Sequence, residues 1–151
     1  MAKFSNTERL ADLIHRKHEV LSQLRELARK QLEQIDQGDM TRLLNVLSAK
    51  QNLLSQIQQI EQALHPFRDE IPEQRVWRSS EHRQHTAQLS GRCSDLLREI
   101  MLMEKQSEPD LIERRDATAG RLRVTANAAE ARQAYVQATG MQSRDLDVTS
   151  E

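Results

Sequence analysis

Two pairs of histidines are the side chains whose type and spacing most readily suggest chemistry. His15 and His18 stand three residues apart, as do His82 and His85, so each pair lies on one face of a helix and has the spacing to bind a metal ion. A di-iron helical bundle also requires Glu-x-x-His motifs on two helices and further carboxylates. Only the stretch from Asp12 to His15 approaches that motif. We therefore expect surface histidines and no metal site.

Signals for nucleophilic or cofactor chemistry are equally weak. The four glycines stand alone at positions 38, 91, 120 and 140, so the chain has no glycine-rich phosphate loop. Cys93, the single cysteine, lies within an apolar helical stripe, which indicates a small core residue and not a reactive thiolate. The sequence predicts no catalytic residue and no cofactor, and we expect a protein that is not an enzyme.

The composition is that of a protein built from long helices. Of the 151 residues, 30% are charged, 3% are aromatic and only three are proline. This excludes most β-sandwiches and barrels, because these need frequent turn residues. We predict an all-α fold: an antiparallel helical hairpin with a long third helix, forming an elongated three-helix bundle or coiled coil. Residues 1–140 form a single domain in this interpretation, and residues 141–151 form a disordered tail.

Positive and negative charges are balanced along the chain. Residues 1–65 carry 9 basic and 8 acidic side chains, residues 66–110 carry 7 and 9, and residues 111–151 carry 6 and 6. Without a basic half to follow a phosphate backbone, nucleic acid is not an expected partner. The longest apolar run, residues 100–103, is too short to span a membrane. The first residues also lack a secretory signal, so we expect a cytoplasmic protein.

Two amphipathic helices of similar length are predicted at the N-terminal end. The first runs from Thr7 to Asp36 with Asn6 or Thr7 as its N-cap, and the second runs from Met40 to Leu64. Each carries a stripe of apolar residues at helical spacing. The stripes consist of Leu10, Leu13, Ile14, Val20, Leu21, Leu24, Leu27, Ala28 and Ile35 in the first helix and Leu43, Val46, Leu47, Leu53, Leu54, Ile57, Ile60 and Leu64 in the second.

The turn between these two helices has its own signature. Gly38 can take the left-handed conformation that closes the first helix, and the Asp39 carboxylate can accept the backbone N–H bonds that open the second. Pro66 ends the second helix, because the residue before a proline is pushed out of helical dihedral angles. A short turn between helices of similar length predicts an antiparallel hairpin.

Two lysines interrupt the apolar stripes at equivalent positions, Lys17 in the first helix and Lys50 in the second. In one interpretation, each lysine lays its methylene groups along the edge of the core while its ammonium group reaches water. In the other, the lysines fix the register of the helices or face a carboxylate such as Glu61. The sequence leaves both interpretations open.

An irregular crossover and a third helix are predicted to follow the hairpin. Residues 66–80 lose the helical period, with one helical turn expected at Pro72. The third helix then runs to about Gln106, on a stripe that includes Leu89, Cys93, Leu96, Leu97, Ile100 and Met103. The apolar phase changes beyond it, with Ile112 on the downstream face, so we expect a kink or a fresh helix start at Pro109.

The segment from Ala117 to Ala138 is rich in alanine and has few larger apolar residues. Alanine favours helix, but its burial contributes only about 0.8 kcal/mol, against about 1.5–3 kcal/mol for Leu, Ile or Val. We therefore expect a helix that is weakly attached to the rest of the bundle. Such a helix suits a partner that lays its own helix alongside, although an ordinary solvated terminal helix fits the pattern equally well.

Three features occur together within residues 10–138. A Leu-rich helix leads through Gln37-Gly38-Asp39 into Leu43-Leu44-x-x-Leu47-x-x-Lys50-x-x-Leu53-Leu54-x-x-Ile57, and the chain closes on Ala131-Arg132-Gln133-Ala134-Tyr135. This combination resembles the flagellar export chaperones of the FlgN type, whose C-terminal helix often ends in a similar Arg/Ala-rich stretch with a tyrosine. The chain departs from the family in the polar, histidine-containing stretch 79–88 and at Pro109.

The resemblance implies a cytoplasmic chaperone that holds hook–filament junction subunits before type III export and delivers them to the export apparatus, without a cofactor. Cargo contacts are expected where the family likeness and the thin apolar face coincide. The residues expected to contact cargo are Leu122, Ala126, Ala129, Tyr135 and Val136. The alternative is a structural or adaptor coiled-coil bundle that forms a homodimer through its hairpin. A metal-dependent helical-bundle enzyme is the least favoured interpretation.

Overall fold

Three long helices form the frame of this all-α protein. The computed structural model describes residues 2–117 and 130–137, with the side chains of 3–113 and 130–137. The long helices are α1 (Ala2–Gln37), α2 (Met40–Leu64) and α3 (Ser80–Ala117). Helix α1 packs against both α2 and α3, and residues 130–137 form a further helical segment. The predicted all-α helical bundle is confirmed.

The turn between α1 and α2 has the predicted chemistry. Gly38 has a φ of 75°, the left-handed conformation that glycine adopts without a steric penalty. Its N–H donates to the carbonyl of Gln34 at 3.0 Å, which satisfies one of the last carbonyls of α1. The Asp39 side chain accepts a hydrogen bond from the backbone N–H of Arg42 at 3.1 Å and so caps α2. Both bounds of the predicted second helix are confirmed.

Helix α1 begins at Ala2, several residues before the predicted start at Thr7. Thr7 lies inside the helix, where its buried hydroxyl donates to the carbonyl of Val76 at 2.8 Å. Asn6 donates its side-chain amide to Glu70. The expected N-cap at Asn6 or Thr7 is therefore wrong, because the helix begins before both residues and neither side chain accepts a backbone N–H of its first turn: Asn6 donates to the connection between α2 and α3, and the Thr7 hydroxyl lies near the carbonyls of Val76 and Phe4.

The connection between α2 and α3 is irregular but closely tied to the frame. It contains two short 3-10 helices, His65–Asp69 and Pro72–Gln74, the second of which starts at the predicted proline. Phe67 is buried in the main core. Arg75 donates from its guanidinium to the carbonyl of Phe67 at 2.8 Å and pairs with Glu70 at 3.0 Å. Pro66 and Pro72 lie in the first turn of these short helices, where a backbone N–H would have no helical partner, so neither costs a hydrogen bond.

Helix α3 runs through Pro109 to Ala117, so the expected fresh start at Pro109 is wrong. Leu111 continues the buried face of the helix at 1% exposure, whereas Ile112 is 42% exposed. The sequence pattern suggests that the apolar stripe changes face near Pro109 only because two buried positions before the proline carry polar side chains, Glu104 and Ser107. Pro109 itself lies on the exposed side, where water can satisfy the carbonyl that loses its helical partner.

The buried apolar residues form two separate clusters. The main cluster joins α1, α2, α3 and the segment 130–137, and it includes Leu21, Leu54, Leu97 and Tyr135. The second cluster lies at the end of the bundle that holds the Gly38 turn, and we call it the tip cluster. It consists of the buried residues Ile35, Leu43, Leu47 and Leu111.

Candidate functional site

The residues expected to contact cargo divide into three groups in the structure. Leu122, Ala126 and Ala129 lie outside the described residues. Val136 is 51% exposed, as a contact residue should be. Tyr135 is only 2% exposed and packs in the main core, so its ring is not accessible to a cargo helix in this structure.

The segment 130–137 is attached through a small apolar footprint. Ala131 and Ala134 are buried beside Tyr135, and the Tyr135 hydroxyl has no hydrogen-bond partner among the described residues. Burial raises the pKa of the Tyr135 phenol well above its usual value, because an apolar environment disfavours the charged form. The tyrosine therefore serves as an apolar anchor that holds the segment on the frame.

Two exposed polar contacts fix where the segment lies. Gln51 of α2 donates to the carboxylate of Glu130 at 3.0 Å, and Arg132 pairs with Glu108 of α3. Exposed contacts of this kind contribute little stability, typically below about 1 kcal/mol. Within 130–137, these two contacts add to the footprint of two alanines and one tyrosine; that the segment is weakly attached stays a prediction.

An open groove of about 660 Å³ runs between α2 and the segment 130–137. Four glutamines line it together with Leu54 and Ala134. Its lining residues are Gln51, Leu54, Ser55, Gln58, Glu130, Gln133, Ala134 and Gln137. Amides both donate and accept hydrogen bonds, so the groove can receive a polar or mixed helix surface without leaving a charge buried. We call it the cargo groove.

A buried ionic cluster holds α1, α2 and the connection together below the groove. The Lys17 ammonium lies 2.5 Å from Glu61, and Arg68 pairs with the other oxygen of the same carboxylate. The side chains of all three residues are 7% exposed or less. The interpretation in which Lys17 faces Glu61 is thereby confirmed, and the one in which its ammonium reaches water is wrong.

A second buried polar cluster joins all three long helices near the tip, and we call it the upper polar layer. It consists of Gln31 from α1, Lys50 from α2, and Glu104 and Ser107 from α3. Lys50 forms an ion pair with Glu104 and donates to the side-chain carbonyl of Gln31 at 2.5 Å. Gln31 in turn donates to the Ser107 hydroxyl at 2.8 Å, and that hydroxyl donates to the carbonyl of Glu104 at 3.1 Å.

The two polar clusters set the register of the frame on which the groove is built. A buried charge that loses its partner is costly, so sliding one helix against another by a turn would be strongly penalised. Burial lowers the pKa of Lys50 to about 7, which reflects the cost of keeping an ammonium group away from water. Glu104 was missed in the sequence, although the polar residues at 104 and 107 of an otherwise buried face were the available signal.

The histidine pairs lie on partly exposed surfaces. His15 contacts Glu19 at 3.3 Å with both side chains largely exposed, and His82 meets the edge of Trp77. Partial burial, helped by Arg92 for His18 and by Arg78 for His82, lowers the pKa of each imidazole. Within residues 3–113 and 130–137, no group of three or more His, Cys, Asp or Glu side chains is placed to hold a metal ion.

Cys93 occupies the small core position that its sequence context predicts. It is 1% exposed, and burial raises the pKa of its thiol to about 11. A thiol with so high a pKa carries almost no thiolate at neutral pH and is inert as a nucleophile.

A second, smaller cavity of about 410 Å³ lies where α1 meets the α2–α3 connection. Ile71 and Val76 line it and are 54% and 47% exposed. Because this surface is lined by the start of α1 and by the connection instead of by α2 and residues 130–137, it provides a comparison surface for tests of the cargo groove.

Comparison with models of protein families, with curated proteins and with solved structures finds no match to this chain. Across the described part of the chain, none of the helices combines the length and the apolarity that a membrane span requires. The candidate site therefore consists of the helical frame, whose register the two polar clusters set, the segment 130–137, and the open groove between α2 and that segment.

Proposed function

We propose that this protein is an export chaperone of the FlgN type that binds a helical segment of a flagellar hook–filament junction subunit in the cytoplasm before type III export. The cargo helix lies in the cargo groove, between α2 and the segment 130–137, and extends past Gln133 to Val136, which is exposed on the same segment but does not line the groove. The observation that carries the proposal is the segment itself. It combines the family's Arg/Ala-rich closing stretch with a small buried footprint and an open groove at its side.

The burial of each side chain in the segment 130–137 indicates which residues hold the segment and which can contact cargo. Ala131, Ala134 and Tyr135 face the core and hold the segment, whereas Gln133, Val136 and Gln137 are exposed. A cargo helix that packs beside the segment gains apolar contact from Val136 and hydrogen bonds from the amides of the groove. Tyr135 thus contributes by positioning Val136 and not by touching the cargo.

Co-expression with hook–filament junction subunits encoded in the same genome tests the proposal. We expect one of these subunits to be recovered in a soluble one-to-one complex with this chain. A chain that recovers no such subunit and associates only with itself would instead support the alternative function, a structural or adaptor bundle. Sedimentation of the free chain and of the mixture separates these two outcomes.

A matched pair of variants tests the position of the site. Val136→Asp places a charge where the cargo helix should pack, and it should weaken binding at least tenfold, because about 1.4 kcal/mol is lost for each tenfold. Ile71→Asp makes the same change at a similarly exposed residue of the connection between α2 and α3 and should leave binding unchanged. Because both side chains are about half exposed, helicity and thermal stability should stay the same in each variant.

A further inference from the structure

The upper polar layer divides the interior of the bundle into two parts that do not share an apolar cluster. On one side lies the main cluster, with Leu54 and Ile100, and on the other side lies the tip cluster. Gln31, Lys50, Glu104 and Ser107 fill the space between them, and all four are 7% exposed or less. Cooperative unfolding spreads through shared packing, so this layer is a natural boundary between two units.

Opening the bundle at this layer is inexpensive compared with opening it through an apolar cluster. Lys50 and Glu104 have lost their hydration in the closed bundle, and an ion pair recovers only part of that cost. The lowered pKa of Lys50 has the same origin. When the tip opens, Lys50 and Glu104 remain in the folded part but regain contact with water, and this gain lowers the free energy of opening.

The backbone beyond the layer is also weakly supported. Pro109 lacks the N–H that would bind the preceding turn of α3. Among the side chains that the structure describes, the tip cluster holds four buried aliphatic residues, Ile35, Leu43, Leu47 and Leu111, with the partly buried Met40 and Leu44 against them. The segment 130–137 adds Ala131, Ala134 and Tyr135 to the main cluster and none of its residues to the tip cluster.

We propose that the tip of the bundle, residues 32–49 together with 108–117, opens and closes as a unit of its own while the rest of the bundle stays folded. The upper polar layer is the boundary of this unit. Opening exposes the four aliphatic side chains of the tip cluster beside Ile112, which is already exposed. The inference does not rest on the proposed chaperone function, because it concerns the free chain alone.

Native-state hydrogen exchange of the full chain, measured at increasing low concentrations of denaturant, tests the proposal. We expect the amides of residues 32–37, 43–49 and 110–113 to share one opening that is at least tenfold more frequent than the opening of the main core. Exchange of both regions through a single common opening would overturn the proposal.

Two leucine variants, both at fully buried positions, separate the units. Leu43→Ala removes packing from the tip cluster and Leu21→Ala removes it from the main cluster. Leu43→Ala should speed exchange in the tip by about 30-fold or more, the factor equivalent to the roughly 2 kcal/mol minimum for such a change. Because the tip is also open when the main core unfolds, the same variant should speed main-core exchange to the same extent. Leu21→Ala should speed exchange in the main core and leave exchange in the tip unaltered. If Leu21→Ala accelerates exchange equally in both regions, the bundle is one unit and the proposal fails.

A third variant removes the boundary itself. Gln31→Leu, Lys50→Met and Glu104→Leu combined replace the layer by aliphatic side chains, and Ser107 keeps its hydrogen bond to the backbone of residue 104. Apolar replacement of a buried ion pair is often neutral or stabilising, so the triple variant should fold. Exchange in its tip should slow at least tenfold and approach that of the main core. Unchanged exchange in the tip would contradict a boundary at this layer.

Discussion

Replacing Glu61 by glutamine should be one of the most damaging single changes of a polar residue in this chain. Its carboxylate lies between Lys17 and Arg68, and all three side chains are 7% exposed or less. Glu61→Gln leaves two buried cations facing a neutral amide. Removing one partner of a buried ion pair typically costs about 3–5 kcal/mol, and here a single carboxylate serves two cations. We therefore expect the upper part of that range.

Lys17→Met is the matched control for this cluster. It removes one of the two cations, keeps a side chain of similar length, and leaves Glu61 paired with Arg68. Because no buried charge loses its last partner, this variant should change the free energy of unfolding by about 1 kcal/mol or less. Urea unfolding followed by helical circular dichroism at pH 7 measures both variants. A Glu61→Gln variant as stable as Lys17→Met would refute the reasoning.

Three further changes have directions that follow from the structure. Gly38→Ala should have a free energy of unfolding about 1 kcal/mol lower than that of the wild type, because a φ of 75° is strained for a residue with a Cβ. A urea titration measures this difference, and a variant as stable as the wild type would show that the turn adapts. Glu104→Gln should be destabilised at pH 7 and recover stability as the pH rises towards 10. Burial lowers the pKa of folded Lys50 to about 7, and loss of the carboxylate lowers it further, whereas the unfolded chain still binds this proton up to about 10.5. Urea titrations at both pH values measure this, and a flat profile would contradict it. Raising the pH from 8 to 10 should lower the free energy of unfolding of the wild type by about 1 kcal/mol more than that of Cys93→Ala. The reason is that the pKa of the thiol is about 9.0 in the unfolded chain and about 11 in the folded one. An equal pH dependence of the two proteins would exclude this cause.

The sequence pattern predicted the hairpin well because local chemistry decides it. The apolar stripes, the left-handed Gly38 and the capping Asp39 all act within a few residues, so the second helix could be placed at both ends. The start of α1 could not be placed in this way. Thr7 and Asn6 look like caps, but their partners are in the connection more than sixty residues away.

The buried polar residues of α3 explain why the sequence pattern predicted a break that the helix does not have. Glu104 and Ser107 occupy buried positions, but a stripe analysis counts them as surface and infers a break near Pro109. Only the long-range pairing with Lys50 and Gln31 reveals that the helix keeps its register.

The residues expected to contact cargo stay a prediction, and the structure gives the surroundings of two of them. Val136 is exposed as expected, whereas Tyr135 turned out to be an anchor, because a large aromatic ring on an alanine-rich segment is the side chain that gains most from burial. The groove beside α2 depends on the placement of two distant segments and has no signature in the sequence.

Calorimetric titration of this chain with the terminal helical segment of a hook–filament junction subunit tests the proposed cargo site at the segment 130–137 most directly. The proposed function predicts saturable one-to-one binding by the wild type and by Ile71→Asp, and at least tenfold weaker binding by Val136→Asp. Binding of equal strength by all three proteins would place the cargo elsewhere on the chain. A wild-type chain that gives no binding signal with any such segment would contradict the chaperone function itself.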